Sequence, residues 1–480
     1  MPRHSFSPLS VDSLVMHADI SARIVGDSQT ILTGISQDSR NIESGDILCC
    51  VRGESFDGHR FINEALERGC SAVLVDQVDE SISPSITQII VEDVRSVLGR
   101  IASAAFRHPA SSLKMVGITG TNGKTSTAAI LGSVLSMHGA SVHVMGTLTG
   151  SRTTPESIDL QAQLRSLVDS GVDHVVMEVS SHALQQHRVD GIVFDLSIFT
   201  NLGHDHLDFH GTMENYFAAK KSLFTSQLSR CAVVNTDDAY GQQLFLNAEI
   251  RTTGFSASDV TDVSISAQRV AFSWRSLAIS LPIGGTFSVA NAIAAITAAA
   301  EMGVSDSAIL SGCAQVATVP GRFESIPNDA GIDVVVDFAH TPEALRGLLT
   351  SARMITQAQL IVVFGCGGDR DSAKRPVMGG IATEVADVVI VTSDNPRSED
   401  PEQIVADVMQ GVSSNGARVS SIVNREKAIE SAILGANRGD MVVVAGKGHE
   451  LTQEIHGDFL PFSDVAVAQV ALLKRKENLK

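Results

Sequence analysis

Short apolar runs rich in valine and isoleucine recur along the chain, and most of them end in polar residues. Residues 1 to about 110 carry "DILCCV", "SAVLVD" and "TQIIVED", alternating with helical stretches such as "RFINEALERG". A second set starts at Met115–Thr119 and continues through "HVVMEVSSH" (174–182), "FDLSIFTNLGHDH" (194–206) and "CAVVNTDD" (231–238). A third comprises "LIVVFGCGGDRD" (360–371), "DVVIVTSDNPR" (387–397) and "MVVVAGKGHE" (441–450). Continuous β-branched runs separated by helix-length segments predict parallel strands buried on both faces. Ligands in such sheets sit beyond the carboxyl ends of the strands. The polar residues at those ends are therefore site candidates, although polar strand ends are also ordinary loop chemistry.

A chain of 480 residues suggests about three domains at ~150 residues each. The stretch "FRHPASSLK" (106–114) has the composition of a linker, and proline and glycine interrupt the pattern at "VATVPGRFE" (316–324). The expectation is an α/β protein of three domains, 1–110, 111–322 and 323–480.

Composition narrows the class. The chain is 44% hydrophobic and 19% charged, with one tryptophan, Trp274. A net charge of −18 argues against a nucleic-acid binder, which carries a basic face. Anionic ligands must be attracted by local cations and backbone dipoles. The six cysteines form no C-x-x-C pair, so neither a zinc knuckle nor a disulfide framework is suggested. The N-terminus has no basic flank and apolar core of the signal-peptide kind. The longest apolar run, "VANAIAAITAAA", is 12 residues, too short for a bilayer. Cytoplasm is the default.

The stretch "GITGTNGKTSTAAIL" (117–131) reads as strand, glycine turn and helix. It departs from the Walker A spacing, G-x-x-x-x-G-K-[ST], because Ile118 stands where the first glycine belongs. The physical needs of phosphate binding are still met. Gly120 and Gly123 let the backbone around Thr121 and Asn122 curl its N–H groups onto phosphates. The helix N-terminus at Lys124, Thr125 and Ser126 adds its partial positive charge. Lys124 can reach the terminal phosphates, and the Thr125 hydroxyl can ligate Mg²⁺. The plainer alternative is a glycine turn with a Ser/Thr helix cap.

"HDHLDFH" sets His204, Asp205, His206, Asp208 and His210 within seven residues. Alone it approaches the H-x-H-x-D-H pattern of dinuclear zinc hydrolases, but Phe209 intrudes, and those hydrolases lack a nucleotide loop. A loop of solvated histidines is the other reading.

"GTNGKT" resembles the loop of the Mur ligases, which use ATP to add amino acids to the peptidoglycan precursor, and of the related folylpolyglutamate synthetases. The resemblance runs along nearly the whole chain. "DSR" (38–40), "SGDILCCVRGESFDGHRFI", "TTPES" (153–157), "EVSSHALQQHRV", "TNLGHDHLDFHG", "YFAAKKSLF", "PGRFE", "DFAHTP", "DNPR" and "GKGHE" follow in that family's order. It is greatest to the member that adds the third residue of the stem peptide. The implied fold is an N-terminal uridine-nucleotide-binding α/β domain, a central P-loop ATPase domain with a mainly parallel sheet, and a C-terminal Rossmann-like domain.

The resemblance also implies roles. Ser39, Thr153, Thr154, Ser180, Gln186 and Arg188 would contact the UDP-MurNAc peptide, with Arg152 standing where some relatives carry asparagine. Asn291, Arg322 and His340 would meet ATP. Glu178 and His206 would join Thr125 around Mg²⁺, and Lys220 would carry a CO₂-derived carbamate, its alternative being a surface lysine like Lys221. The "DNPR" motif, Asp394, Asn395, Pro396 and Arg397, goes with meso-diaminopimelate in this family. Lysine-adding relatives lack its arginine. Arg397 can grip the extra carboxylate bidentately, Arg370 would add charge, and Gly446 and Glu450 would meet the distal amino-acid group. Thr452 replaces a tyrosine common in relatives, which implies a small change in a pocket wall.

The implied reaction is ATP-dependent amide formation through an acyl phosphate, with Lys124, Lys220, Glu178 and His206 as its catalytic set. The partners would be UDP-MurNAc-L-Ala-D-Glu, meso-diaminopimelate and ATP, with no nucleic acid and no membrane embedding, and the protein would be a monomer. A lysine-adding ligase, a folylpolyglutamate synthetase and a nucleotide-gated protein without catalysis remain as alternatives.

Overall fold

The computed structural model describes residues 2–53, 57–413 and 416–478. Glu54, Ser55 and Phe56, within the "SGDILCCVRGESFDGHRFI" stretch, lie outside the described residues. The chain forms two compact units, one of residues 1–120, 139–201 and 206–254, the other of 121–138, 202–205 and 255–480. The division falls inside the glycine loop, between Gly120 and Thr121.

The first unit holds two six-stranded sheets. In the N-terminal sheet, Ile31–Ser36, Asp46–Cys49, Ala72–Val75 and Thr87–Ile90 run parallel. The strands His4–Ser10 and Arg23–Val25 close its two edges antiparallel. The central strands are buried throughout, as their unbroken apolar runs require. Helix Val94–Ala105 covers one face. The segment read as one helix from Arg60 instead begins as a 3₁₀ turn, Gly58–Phe61, capped by Asp57, and becomes α-helical at Ile62–Glu67. The expected linker holds a 3₁₀ turn, Pro109–Ser112, whose first two residues are buried.

The second sheet has the order Arg251–Phe255, Cys231–Asn235, Leu196–Phe199, Lys114–Thr119, His174–Glu178, Val142–Met145. Its central strands pair in parallel. The carboxyl ends of Lys114–Thr119, His174–Glu178 and Leu196–Phe199 bring Gly120, Glu178 and Thr200 to one edge.

In the other unit, helix Lys124–Met137 packs on Phe287–Glu301 and Asp306–Gln315. Contact with Asp306–Gln315 is close: a Cβ on Gly312 would fall 2.4 Å from the Val134 Cα. An antiparallel meander, Val260–Ile265, Val270–Trp274 and Leu277–Leu281, follows. The C-terminal sheet has the order Glu324–Ser325, Asp333–Asp337, Met441–Ala445, Leu360–Phe364, Val388–Val391, Arg418–Ser421, parallel apart from its first strand. Apolar clusters cover both faces of this sheet. The three apolar runs read from this third of the sequence are adjacent central strands, and "DNPR" and "GKGHE" leave their carboxyl ends. A two-stranded ribbon, Thr452–Ile455 with Asp458–Pro461, completes the fold. Among the described residues, no helix is long and apolar enough to cross a membrane.

Candidate active site

The glycine loop works through close approach. Gly120 has φ +150°, and a Cβ there would lie 1.9 Å from Thr200 Oγ1. Gly123 has φ +87°, a conformation that costs any L side chain, and its Cβ would lie 2.3 Å from Asn291 Oδ1. Asn291, expected to meet ATP, is buried in an alanine-rich helix and lies against the glycine loop. Lys124 opens its helix, and its Nζ donates to the Thr121 carbonyl at 3.0 Å. Thr121 Oγ1 accepts the Gly203 N–H at 2.9 Å. Thr125 and Ser126 are buried in the first turn of the helix.

In the first unit, Glu178 ends its strand almost fully buried and accepts from the N–H and hydroxyl of Thr147 at 3.0 and 3.2 Å. Gly146 leaves room for this carboxylate, since a Cβ there would be 2.1 Å from Glu178 Oε1. Lys220 is not a surface lysine: it is 1% exposed, donates to the Gly120 carbonyl at 3.1 Å and lies 4.7 Å from the centre of the Tyr216 ring. His206 caps the short helix Leu207–His210 with φ +54°. Its ring meets His182 edge-on at 4.8 Å. His210 is buried, stacked on Tyr216, edge-on to His182 at 5.5 Å and bonded to Ser181 Oγ at 2.9 Å. Among the described residues, no group of three His, Cys, Asp or Glu side chains is arranged to hold a metal ion. Among the described residues, the cysteines form no disulfide.

The hydroxyl residues of "TTPES" form a strand-end network. Thr154 Oγ1 donates to the Glu178 carbonyl at 2.9 Å and accepts the Ser180 N–H at 3.0 Å. Thr153 and Thr147 hydroxyls lie 3.0 Å apart. Ser180 caps the next helix through the Ala183 N–H. Arg188 is buried, with one nitrogen donating to the Thr154 carbonyl at 3.1 Å. Its other terminal nitrogen serves Gln186 Oε1 and Glu156 Oε1, each at 2.7 Å. Arg152 reaches the same Glu156 oxygen. The sequence reading missed Glu156, which already occupies the arginine expected to read an acidic peptide. Burial pushes the Arg188 guanidinium below its ordinary pKa, with Glu156 opposing. Its Nε is buried without a hydrogen-bond partner among the described residues. Ser39 donates to Glu64 Oε2 at 2.7 Å.

In the other unit, the Arg322 guanidinium lies 4.9 Å from the Phe338 ring centre. His340 bonds the Phe338 carbonyl at 2.9 Å and is exposed. Asp337 ends its strand buried and accepts the N–H groups of Phe323 and Ala339 at 2.7 and 2.8 Å. Burial raises its pKa, opposed by Arg322 and those bonds.

The "DNPR" and "GKGHE" loops interlock. Asn395 donates to Glu450 Oε2 at 2.8 Å, and its own oxygen accepts from Lys447 Nζ at 2.9 Å. Lys447, fully buried, also reaches Glu450 at 2.8 Å. Burial opposes ionisation of Glu450, but Lys447 and Asn395 prevail and hold the carboxyl below its ordinary pKa. Asp394 is 8% exposed, and its Oδ2 has no hydrogen-bond partner among the described residues. Gly446, φ +117°, leaves it space, since a Cβ would come within 2.5 Å of that oxygen. Arg397 donates through Nε to Glu454 Oε2 at 3.1 Å and through Nη1 to the Gly368 carbonyl at 2.7 Å. Pro396 lies between these residues, and Arg370 is exposed. Lys447 and Glu454 were not anticipated, and Thr452 begins the ribbon that carries Glu454.

Three family profiles match the chain in order: "Mur ligase family, catalytic domain" over residues 31–106, "Mur ligase middle domain" over 118–299, and "Mur ligase, glutamate ligase domain" over 321–448. A UDP-N-acetylmuramoyl-L-alanyl-D-glutamate–2,6-diaminopimelate ligase of Clostridium tetani is 40% identical, covering 92% of this chain and 94% of its own. The ligase of the same name from Aquifex aeolicus is 41% identical, covering 92% and 93%. A solved structure bearing that enzyme name is 32% identical, with a TM-score of 0.70 over 98% of this chain and 100% of its own. The three profiles and the relatives agree along nearly the whole length, and the chain belongs to the Mur ligase family.

Proposed function

We propose that the protein is an ATP-dependent ligase that joins meso-diaminopimelate to the side-chain carboxylate of D-glutamate in UDP-MurNAc-L-Ala-D-Glu, a step in peptidoglycan precursor synthesis. One observation carries the reading. A single tetrapeptide offers a cation, Arg397, and a buried carboxylate oxygen, Asp394 Oδ2, that has no hydrogen-bond partner among the described residues. The distal end of diaminopimelate is a zwitterion, so it supplies a carboxylate for the first and an ammonium for the second. Lysine supplies only the ammonium. The names of the relatives point to the same substrate.

ATP gives its γ-phosphoryl group to the glutamate carboxylate, forming an acyl phosphate and ADP. The amine of diaminopimelate attacks the acyl carbon, loses a proton and expels phosphate. No bond to the protein forms, so its residues position groups and stabilise charge. Gly120, Thr121, Asn122, Gly123, Lys124, Thr125 and Ser126 hold the phosphates, while Asn291, Arg322 and His340 hold the rest of ATP. Ser39, Thr153, Thr154, Ser180, Gln186 and Arg188 hold the muramoyl peptide. Arg370, Asp394, Asn395, Pro396, Arg397, Gly446 and Glu450 hold diaminopimelate.

Mg²⁺ prefers oxygen donors, which Thr125 and the Glu178 carboxylate provide, with His206 beside them in the family's set. When bound, the ion neutralises charge on the transferring phosphoryl group. Lys220 fits that set as a carbamate, since its ammonium would repel the ion. The stretches 1–110, 111–322 and 323–480 divide these duties as muramoyl-peptide, ATP and amino-acid domains, and the protein works as a cytoplasmic monomer.

Product identity tests the reading. Incubation with ATP, UDP-MurNAc-L-Ala-D-Glu and diaminopimelate should yield a nucleotide peptide heavier by one diaminopimelate less one water. Its absence from active-site-intact protein that binds ATP would overturn the reading.

A further inference from the structure

Glu454 stands outside every motif in the sequence, yet its backbone and side chain both hold the "DNPR" loop. The Arg397 N–H donates to the Glu454 carbonyl at 3.0 Å, and the Arg397 carbonyl accepts the His456 N–H at 2.7 Å. These two bonds form a parallel bridge between Arg397 and Ile455. The Glu454 N–H donates in turn to Asn395 Oδ1 at 3.0 Å. The ribbon thus extends the loop by strand pairing, and it holds Arg397 at φ +52°, where non-glycine residues are uncommon.

The side-chain geometry gives this clamp a consequence. A guanidinium presents five N–H donors in a fixed fork. Glu454 takes the Nε hydrogen, and the Gly368 carbonyl takes one Nη1 hydrogen. The donors left for a ligand lie along the Nη1/Nη2 end. Glu454 and an incoming carboxylate therefore use different edges of Arg397. Both side chains of the pair are partly exposed, 23% and 26%, so the ion pair itself adds little to stability. Its effect is to fix the direction in which the fork faces.

We infer that Glu454 is a specificity-determining positioning residue, which orients Arg397 so that its terminal nitrogens meet the distal carboxylate of the amino-acid substrate end-on. The inference rests on the diaminopimelate reading of the site. L-Lysine has no such carboxylate, so its use does not depend on Glu454.

The test is steady-state kinetics of the full chain with saturating ATP and UDP-MurNAc-L-Ala-D-Glu. Glu454→Ala should raise the KM for diaminopimelate about tenfold and leave kcat within about twofold, the size expected when one preorganised side chain is released. The preference for diaminopimelate over lysine should narrow by the same factor. Glu454→Gln retains an oxygen for the Nε hydrogen and should restore most of the affinity. In an Arg397→Ala background, Glu454→Ala should add nothing, a non-additivity that a general packing role would not give. If Glu454→Ala fails to fold, Glu454→Asp, which falls short of Nε by one methylene, should show the same rise. An unchanged or lower KM, or additive effects in the double variant, would overturn the inference while wild-type turnover leaves the functional reading intact. A wild-type protein that ignores diaminopimelate would overturn both.

Discussion

Lys220 is tied to the first glycine of the phosphate loop, its Nζ donating to the Gly120 carbonyl at 3.1 Å from a site that is 1% exposed. Burial this deep beside the glycine loop supports the role proposed for Lys220. Lys220→Ala should lower kcat by roughly 10²–10³, the scale of losing one preorganised electrostatic group. If the working form is a carbamate, formate or acetate should restore part of that rate. Isotope-labelled bicarbonate should also give a carbamate signal that the variant lacks. Absence of both rescue and signal would remove the carbamate from the account.

Gly123→Ala is predicted to weaken nucleotide binding by at least about tenfold, from left-handed strain of roughly 1–2 kcal/mol plus overlap with Asn291 Oδ1 at 2.3 Å. Calorimetric titration with ADP measures this. Normal ADP affinity in the single variant would contradict the loop geometry.

Arg425 and Asp464 form a doubly bonded ion pair at 2.7 Å with both side chains 0% exposed. Arg425 also donates to the carbonyls of Ser393 and Ala445 at 3.3 and 3.0 Å, directly before "DNPR" and "GKGHE". Breaking a buried pair leaves an uncompensated charge and costs about 3–5 kcal/mol. Asp464→Ala should show that loss in urea unfolding, together with a raised KM for diaminopimelate. Removing Glu430, whose partner Lys474 is half exposed, should cost under about 1 kcal/mol.

Lys447→Met tests the acid limb of the pH profile. Glu450 has a folded pKa held below its ordinary value because Lys447 and Asn395 outweigh burial. A depressed carboxylate contributes stability above its unfolded pKa and loses it as pH falls through the folded one. With Lys447 gone, burial acts with less opposition and the Glu450 pKa should rise. The acid limb of kcat/KM for diaminopimelate should then move up by about one pH unit or more. An unmoved limb would show that Glu450 does not act in that step.

Much of this fold is legible in the sequence because buried parallel strands write themselves as unbroken apolar runs. "MVVVA" is strand Met441–Ala445, buried at all five positions. The antiparallel meander at 260–281 is harder to read, since its strands mix exposed and buried positions and turn at Arg275 and Ser276, both with positive φ. The ribbon turns at His456–Gly457, with φ values of +50° and +87°, and "HG" is a weak form of the Asn-Gly signal for such turns. In the site, glycines and the lysine of the loop announce themselves by spacing. Glu156, Lys447 and Glu454 do not, because each acts on a residue brought near by the tertiary fold: Glu454 is distant in sequence from Arg397, yet it forms an ion pair at 3.1 Å. Lys220 stands beside Lys221 in a plain helix; the family resemblance singles it out in the sequence, and in the structure it is buried while Lys221 is exposed.

The central claim is tested most directly by phosphate release from ATP in the presence of UDP-MurNAc-L-Ala-D-Glu, with meso-diaminopimelate, L-lysine or no amino acid. The account predicts release with diaminopimelate and little without an amino acid. Lysine should be used roughly 10–100-fold less well, the scale of losing one charged hydrogen bond of ~1.5–3 kcal/mol at the partly exposed Arg397. Equal release with lysine would contradict the assignment of Arg397, and no release with either, despite ATP binding, would contradict the ligase itself.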